Sequence, residues 1–137
     1  MKIRIYYHHT DSGGVVYYAN YLKFLEEART EFLEARGILV KELADKGILF
    51  VVARQEIDYK FPSFYGDVLE VSCQLEEVSR VKIIFTNDIV NQDKKLVAKA
   101  RTILVCVDPR LKPQVLSKEI SEKCQKNSKT VDVVVSM

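Results

Sequence analysis

Several residue types that staple or specialise small proteins are scarce in this sequence. Its 137 residues include three cysteines, three prolines, five glycines and no tryptophan. Three cysteines are an odd number and none stands in a C-x-x-C pair, which excludes a disulfide framework and a zinc ribbon. The longest apolar run covers the six residues 48–53, far short of the ~18 that a membrane span requires.

A dominant charge of one sign is also absent. The 21 lysine and arginine residues nearly balance the 19 aspartate and glutamate residues, and the net charge is +2. A dedicated nucleic-acid-binding protein concentrates basic residues into a strong positive field, so we expect no nucleic-acid partner. The first residues lack the basic and apolar segments of a secretion signal, and we expect a cytoplasmic protein without a membrane span.

What is present is a chain that suits one domain with an adequate core, since 47% of its residues are hydrophobic. Residues 2–7 alternate between apolar and polar side chains and predict a short strand. Residues 20–36 carry apolar side chains at steps of three and four, which predicts an amphipathic helix with much of its circumference apolar. We expect Asn20 to cap the start of this helix and Gly37 to end it.

Strand-type patterns occupy the middle of the chain, after a short polar connection at residues 40–46. Residues 48–61, 68–78, 81–90 and 96–107 each predict a long strand, and their short connections indicate antiparallel hairpins. The order of elements predicts an α+β fold in which a five-stranded antiparallel sheet packs on one long central helix.

The predicted domain covers residues 1–124. Residues 118–126 predict a short helix near its end. Residues 125–137 form a tail that is either mobile or paired to a sheet edge through its valine-rich part, 131–135.

Residues that carry chemistry are concentrated near the start of the chain. Both histidines and five of the seven tyrosines fall within the first 21 residues, around the segment 8–18 that leads into the helix. Gly13 and Gly14 permit a turn that brings the backbone close to a ligand. The first helical turn presents unpaired N–H groups and the positive end of the helix dipole, which can stabilise a carbonyl oxygen as it becomes negative.

Asp11, four residues before Val15 and nine before Asn20, can face this oxyanion site once the glycine turn folds back. A carboxylate in that place can hydrolyse an ester or thioester, either as a base for water or as a nucleophile. Spacing alone leaves the alternative that Asp11 only caps the glycine turn.

Residues 6–21, which read YYHHTDSGGVVYYANY, and residues 24–31, which read FLEEARTE, closely resemble the signature of hot-dog-fold acyl-CoA thioesterases. The subgroup is the YbgC-like, 4-hydroxybenzoyl-CoA thioesterase type, and the resemblance extends through residues 59–67. It implies a helix wrapped by an antiparallel sheet, with dimers that share a continuous sheet, often pair into tetramers and hold active sites between subunits. It also implies that Asp11 is the catalytic carboxylate and that the backbone N–H of Tyr18 polarises the thioester carbonyl, without a cofactor.

The expected substrate is an acyl-CoA, with its acyl group beside the residues that link the turn to the helix. The predicted substrate-binding residues are Gly14, Val15, Val16, Tyr17, Asn20 and Tyr21. For Asn20 and Tyr21, a structural role at the helix start stays open. The CoA phosphates require basic side chains, and the candidates are Lys60, Arg80, Arg101, Arg110 and Lys112.

Two features depart from the family pattern. Many members have an acidic pair where this chain has His8 and His9, and many have histidine where it has Tyr18. A main-chain donor does not depend on its side chain, so Tyr18 can still supply the oxyanion N–H. The role of the missing histidine is either lost or taken by His9 or a tyrosine hydroxyl.

The sequence raises three alternatives to thioester hydrolysis. Metal binding by His8 and His9 is disfavoured, because neighbouring residues on a strand point to opposite faces and the sequence has no third histidine. A non-hydrolytic acyl-CoA-binding module would keep the fold without turnover. A hot-dog hydratase or dehydratase would process an acyl thioester without cleaving it.

Overall fold

The computed structural model describes residues 1–126, which form a curved sheet and three helices. The strands are β1 (Lys2–Arg4), β2 (Leu49–Tyr59), β3 (Val68–Val78), β4 (Lys82–Val90) and β5 (Leu96–Val107). The helices are α1 (Asn20–Ala35), α2 (Val40–Asp45) and α3 (Lys118–Gln125), and a single 3-10 turn spans Tyr7–His9.

The five strands form one sheet in the order β1-β3-β4-β5-β2, and every neighbouring pair is antiparallel. The β3-β4 and β4-β5 connections are hairpins, as predicted. The prediction was wrong for β2, which pairs with β5 at the far edge of the sheet. The connection at residues 60–67 therefore crosses the sheet from one side to the other, because β2 and β3 are not neighbours.

Helix α1 lies across one face of the sheet and packs against β3. The predicted stripe is confirmed at Tyr21, Leu25, Ala28 and Phe32, which are all buried. The opposing sheet face supplies alternate residues of β3, β4 and β5, among them Leu69, Val71, Cys73, Ile83, Phe85, Ile89, Ala98 and Leu104. This arrangement confirms the α+β hot-dog fold, with the long helix enclosed by the antiparallel sheet.

The end of α1 follows the sequence pattern closely. Gly37 has φ +76°, and the N–H of Ile38 donates to the carbonyl of Leu33 at 2.9 Å. The N–H of Gly37 donates to the carbonyl of Glu34 at 3.0 Å. These two bonds are the Schellman arrangement, in which glycine adopts the left-handed conformation that terminates a helix.

The outer face of the sheet is polar and pairs its charges internally. Arg101 binds Glu76 at 2.8 Å and approaches Glu56 at 3.6 Å, and Lys99 contacts Asp88 at 3.1 Å. This face therefore turns toward solvent, whereas the apolar face holds α1.

Two short segments differ from the sequence prediction. The strand predicted over residues 2–7 ends at Arg4, and Tyr7–His9 form the 3-10 turn instead. The expected polar connection at residues 40–46 contains α2 (Val40–Asp45). Both segments are too short for side-chain periodicity to decide their conformation.

The described part of the chain ends just after α3. Ser117 caps this helix by accepting from the N–H of Ile120 at 3.1 Å, and Ile120 and Cys124 are buried. The tail predicted over residues 125–137, with its edge-pairing valines, lies outside the described residues except for positions 125 and 126. None of the helices within residues 1–126 has the length and apolarity that crossing a membrane demands.

Candidate active site

The loop between β1 and α1 folds back on itself as a narrow ladder. Thr10 and Val16 form an isolated antiparallel bridge, and the N–H of Asp11 donates to the carbonyl of Val15 at 2.9 Å. The N–H of Tyr17 donates to the carbonyl of His9 at 2.9 Å. Asp11 therefore lies directly across the ladder from Val15.

Asp11 is exposed at the tip of this ladder. Its Oδ1 accepts from the N–H of Gly13 at 2.8 Å, and its carbonyl accepts from the N–H of Gly14 at 3.0 Å. Gly14 has φ +84°, which glycine tolerates without strain. The carboxylate thus does cap the turn, and its Oδ2 accepts no hydrogen bond within residues 1–126.

The two glycines serve different purposes in this turn. Gly14 supplies the left-handed backbone, and a methyl group there would meet no atom within 4 Å. A methyl group on Gly13 would lie 3.2 Å from Oδ1 of Asp11. Gly13 therefore makes room for the carboxylate, and Gly14 makes the bend.

The segment just before α1 presents a peptide donor at Tyr18, one residue before the capping position Ala19. The carbonyl of Tyr17 accepts from the N–H of Asn20 at 2.9 Å, and the carbonyl of Tyr18 accepts from the N–H of Tyr21 at 3.3 Å. The N–H of Tyr18 has no acceptor among the described residues. The positive end of the helix dipole reinforces such an N–H as a binding group for negative oxygen.

Asn20 does not cap the helix, which corrects the sequence prediction. The capping position is Ala19, and Asn20 is already helical. The side-chain amide of Asn20 instead donates to the carbonyl of His9 at 2.8 Å. This bond ties the ladder to the helix start.

An apolar cavity of about 310 Å³ opens beside the helix start. Its lining consists of Val15, Val16, Tyr18, Tyr21, Tyr59, Lys60, Phe61 and Pro62. It brings together four of the predicted site residues and leaves Asp11, Gly14, Tyr17 and Asn20 outside the lining. Asp11 is hydrogen-bonded through its backbone N–H to one lining residue, Val15.

Tyrosine rings form one wall of this cavity. The rings of Tyr18 and Tyr59 meet edge to face with centroids 6.2 Å apart, and Tyr21 lies 5.6 Å from Tyr59. The hydroxyl of Tyr59 donates to the carbonyl of Tyr18 at 3.2 Å. Burial raises the pKa of both Tyr21 and Tyr59, so both hydroxyls remain protonated donors at neutral pH.

The list of predicted site residues did not include Tyr59, Phe61 and Pro62, although they lie within residues 59–67, to which the family resemblance extends. They enter the site from the end of β2 and the connection after it, and only the sheet order brings them to the helix start. The pattern of aromatic residues around Pro62 was a signal, but spacing alone did not give it a place.

The histidine pair lies in the 3-10 turn, so the strand argument used against a shared ion was wrong. The rings of His8 and His9 are 4.0 Å apart at their centroids. Within residues 1–126, no group of three or more histidine, cysteine or acidic side chains could hold a metal ion. Nδ1 of His9 accepts from the N–H of Tyr6 at 2.9 Å, and burial, with smaller contributions from His8 and Lys23, lowers the pKa of His9.

Basic side chains near the cavity are fewer than the sequence candidates. Lys60 lines it, and the ammonium of Lys95 lies 4.4 Å from the ring centroid of Phe61. Arg101 is bound to Glu76 on the outer face of the sheet. A polar depression of about 390 Å³ on that face is lined by charged side chains that already pair with one another, so it suits an acyl group less well.

Comparison with known proteins places this geometry in a family. Residues 6–126 match the family model described as the thioesterase-like superfamily. The acyl-CoA thioester hydrolase YbgC of Escherichia coli O6:H1 is 38% identical over 119 residues, which cover 86% of this chain and 89% of that protein. The acyl-CoA thioesterase YbgC of Haemophilus influenzae is 37% identical over 120 residues, covering 86% and 88% respectively.

The fold comparison agrees with the sequence comparison. A crystal structure of a hypothetical protein from Aquifex aeolicus superposes with a TM-score of 0.85 and 35% identity. The match covers 90% of this chain and 97% of that chain. This chain belongs to the thioesterase-like superfamily.

Proposed function

We propose that this protein is an acyl-CoA thioesterase, which converts an acyl-CoA and water into a free acid and CoA. The observation that carries the proposal is the N–H of Tyr18, which donates to no described residue just before the start of α1, at a tyrosine-lined apolar cavity. The relatives named as acyl-CoA thioester hydrolases support the substrate class.

The reaction follows from the groups that this site offers. A thioester carbonyl at the Tyr18 N–H would gain a hydrogen bond that strengthens as the oxygen becomes negative. Asp11 would take the proton of a water molecule while that water attacks the carbonyl carbon. The carbon–sulfur bond then breaks, and the departing CoA thiolate takes up the proton.

Asp11 also has a second possible role, as the nucleophile itself. Attack by its free Oδ2 would give a mixed anhydride that water hydrolyses in a following step. Single turnover in ¹⁸O-labelled water distinguishes the two routes. Direct attack by water labels the product acid. In the anhydride route, water that attacks the carbonyl carbon of Asp11 leaves the label on Asp11, and the product acid carries an unlabelled oxygen from that carboxylate.

Replacing Asp11 by Asn tests the proposal, because the amide keeps the shape and loses the basicity. We expect kcat to fall at least ~100-fold for every acyl-CoA that the wild type hydrolyses, as measured by release of free thiol. Asp45→Asn, at an exposed carboxylate that ends α2, is the matched control and should retain wild-type turnover. Wild-type activity in Asp11→Asn, with the fold intact, would refute the assignment.

Binding without turnover is the rival outcome. The Oδ1 atom of Asp11 is already occupied by the glycine turn, which is what a purely structural aspartate would do. An acyl-CoA-binding module would show measurable ligand affinity and background thiol release across short, long and aromatic acyl groups. A hydratase or dehydratase would change the acyl group and release no thiol.

We further propose that the working unit is a homodimer or a tetramer with active sites between subunits. Strand β2 has a free edge within the described residues, and Val51 and Val52 on it are 37% and 48% exposed. An edge strand with exposed valines favours pairing with another strand. The cavity lies at the end of β2, so a paired copy would close it. The three cysteines, all free and buried, suit the reducing cytoplasm.

A further inference from the structure

Tyr59, the last residue of β2, is hydrogen-bonded to the segment that leads into α1. In the antiparallel pairing of β2 with β5, Tyr59 lies opposite Ala98. Ala98 is buried, so the ring of Tyr59 faces the helix side of the sheet. Its hydroxyl reaches the carbonyl of Tyr18 at 3.2 Å. The two residues are 41 positions apart in sequence, and this bond is their direct polar link.

The carbonyl of Tyr18 accepts two hydrogen bonds, one from the helix and one from Tyr59. Its helical partner is the N–H of Tyr21 at 3.3 Å, and the next bond in the turn, from Leu22 to Ala19, is 3.2 Å. The 3.3 Å bond is longer than the usual range for an N–H to oxygen hydrogen bond, and the 3.2 Å bond is at its limit. The Tyr59 hydroxyl, at 3.2 Å, is a long contact for an O–H donor, and it supplements the weak helical bond at the same carbonyl.

The restraint acts on both sides of the Tyr18 N–H. The peptide plane between Tyr17 and Tyr18 is held by the 2.9 Å bond from the N–H of Asn20 to the carbonyl of Tyr17. The following plane is held by Tyr59. Tyr59 thus restrains the plane that follows the Tyr18 N–H, and the bond from Asn20 restrains the plane that contains it.

We propose that Tyr59 is a positioning residue, which acts on the thioester carbonyl through the Tyr18 peptide. This inference rests on the proposed thioesterase function and gives a role to Tyr59, which the predicted site residues did not include. The ring of Tyr59 also lines the cavity, so the hydroxyl and the ring have separable effects. The hydroxyl governs how well the carbonyl is polarised, and the ring governs how well the acyl group fits.

Tyr59→Phe removes the hydroxyl and keeps the ring. We expect kcat to fall about fivefold, the effect of losing one ordinary hydrogen bond in the transition state, with KM changed less than twofold. Tyr65→Phe is the control, because Tyr65 is 61% exposed, lies outside the cavity lining and packs its ring against Tyr7. It should match the wild type in both constants.

A spectroscopic readout separates positioning from a general loss of stability. A CoA analogue with a ¹³C-labelled ketone in place of the thioester would bind without being cleaved. We expect its carbonyl stretch to shift to lower frequency in the wild type and to shift less in Tyr59→Phe, at unchanged thermal midpoint. The measurement needs no turnover, so it tests Tyr59 even if the protein only binds acyl-CoA.

Two results would overturn the inference while leaving the proposed function intact. One is a Tyr59→Phe enzyme with wild-type kcat and an unchanged carbonyl stretch. The other is a raised KM at constant kcat, which would make Tyr59 a binding residue only. Failure of the wild type to release thiol would instead count against the proposed function.

Discussion

Tyr18 offers the cavity both a ring and a peptide N–H, and the two can be tested separately. The ring packs between Tyr17 and Tyr59. The N–H is unpaired within the described residues and lies just before the start of α1. Because the proposed oxyanion donor is a main-chain group, a side chain other than histidine at this position is compatible with hydrolysis.

Tyr18→Pro should abolish turnover, whereas Tyr18→Ala should not. Proline lacks the N–H, and the N–H of Tyr18 donates to no described residue, so the change removes no hydrogen bond of the described fold. We expect kcat of Tyr18→Pro to lie ~100-fold or more below that of Tyr18→Ala, the typical effect of one oxyanion donor. Circular dichroism would confirm that both variants retain α1. Equal turnover in the two variants would exclude the backbone N–H from the reaction.

The site residues divide by how local their contacts are. The turn at Gly14 and the position of Tyr18 just before the helix could be predicted from the sequence, because both depend on local backbone. Tyr59 could not, because its contact with Tyr18 depends on where β2 enters the sheet. The capping role expected of Asn20 was wrong for a related reason, since a carbonyl eleven positions away, that of His9, competes for its amide.

The glycine turn between β1 and α1 sets the position of Asp11. Substitution of one glycine should affect stability, and substitution of the other should affect turnover. Gly14→Ala should lower the free energy of unfolding by about 1 kcal/mol, because alanine is strained at positive φ. Gly13→Ala should leave stability near wild type and lower kcat severalfold, because the new methyl group displaces the Asp11 carboxylate. Denaturant unfolding and thiol release measure the two effects.

Gly37→Ala is the control for this pair of variants. Gly37 also has positive φ, and a methyl group added there would have the ammonium of Lys123 as its nearest neighbour, at 4.0 Å. Gly37 lies at the far end of α1. We expect Gly37→Ala to lower the free energy of unfolding as much as Gly14→Ala does and to leave kcat unchanged. A loss of activity in Gly37→Ala as large as in Gly13→Ala would show that turnover follows stability alone.

The elements could be predicted from the sequence where a periodic pattern is long. Helix α1 and strands β3, β4 and β5 each carry enough side-chain periods to fix their type and the face they bury. The segment ending in Tyr7–His9 and helix α2 do not, because three to six residues hold less than two helical turns. The edge position of β2 was also beyond local patterns, since pairing is decided by the whole sheet.

The exposed edge of β2 connects the fold to the proposed assembly. This strand is eleven residues long, and its outer edge is unpaired within residues 1–126. Native proteins protect long edge strands with charge, proline or a covering element. Here two valines stand on the edge and the cavity opens at its end, so pairing with a second copy would protect the edge and close the site together.

Val52→Lys should therefore weaken the assembly and the activity together. A lysine on the edge strand opposes strand pairing, and we expect the dissociation constant of the dimer to rise at least ~10-fold, about 1.4 kcal/mol. Sedimentation velocity would measure the assembly, and thiol release at matched concentrations would measure the activity. Val115→Lys is the control, because Val115 is 57% exposed and lies outside the strands.

If Val52→Lys is monomeric and fully active, one chain holds a complete site. If activity instead falls with dilution in the wild type and falls earlier in the variant, the second copy completes the site.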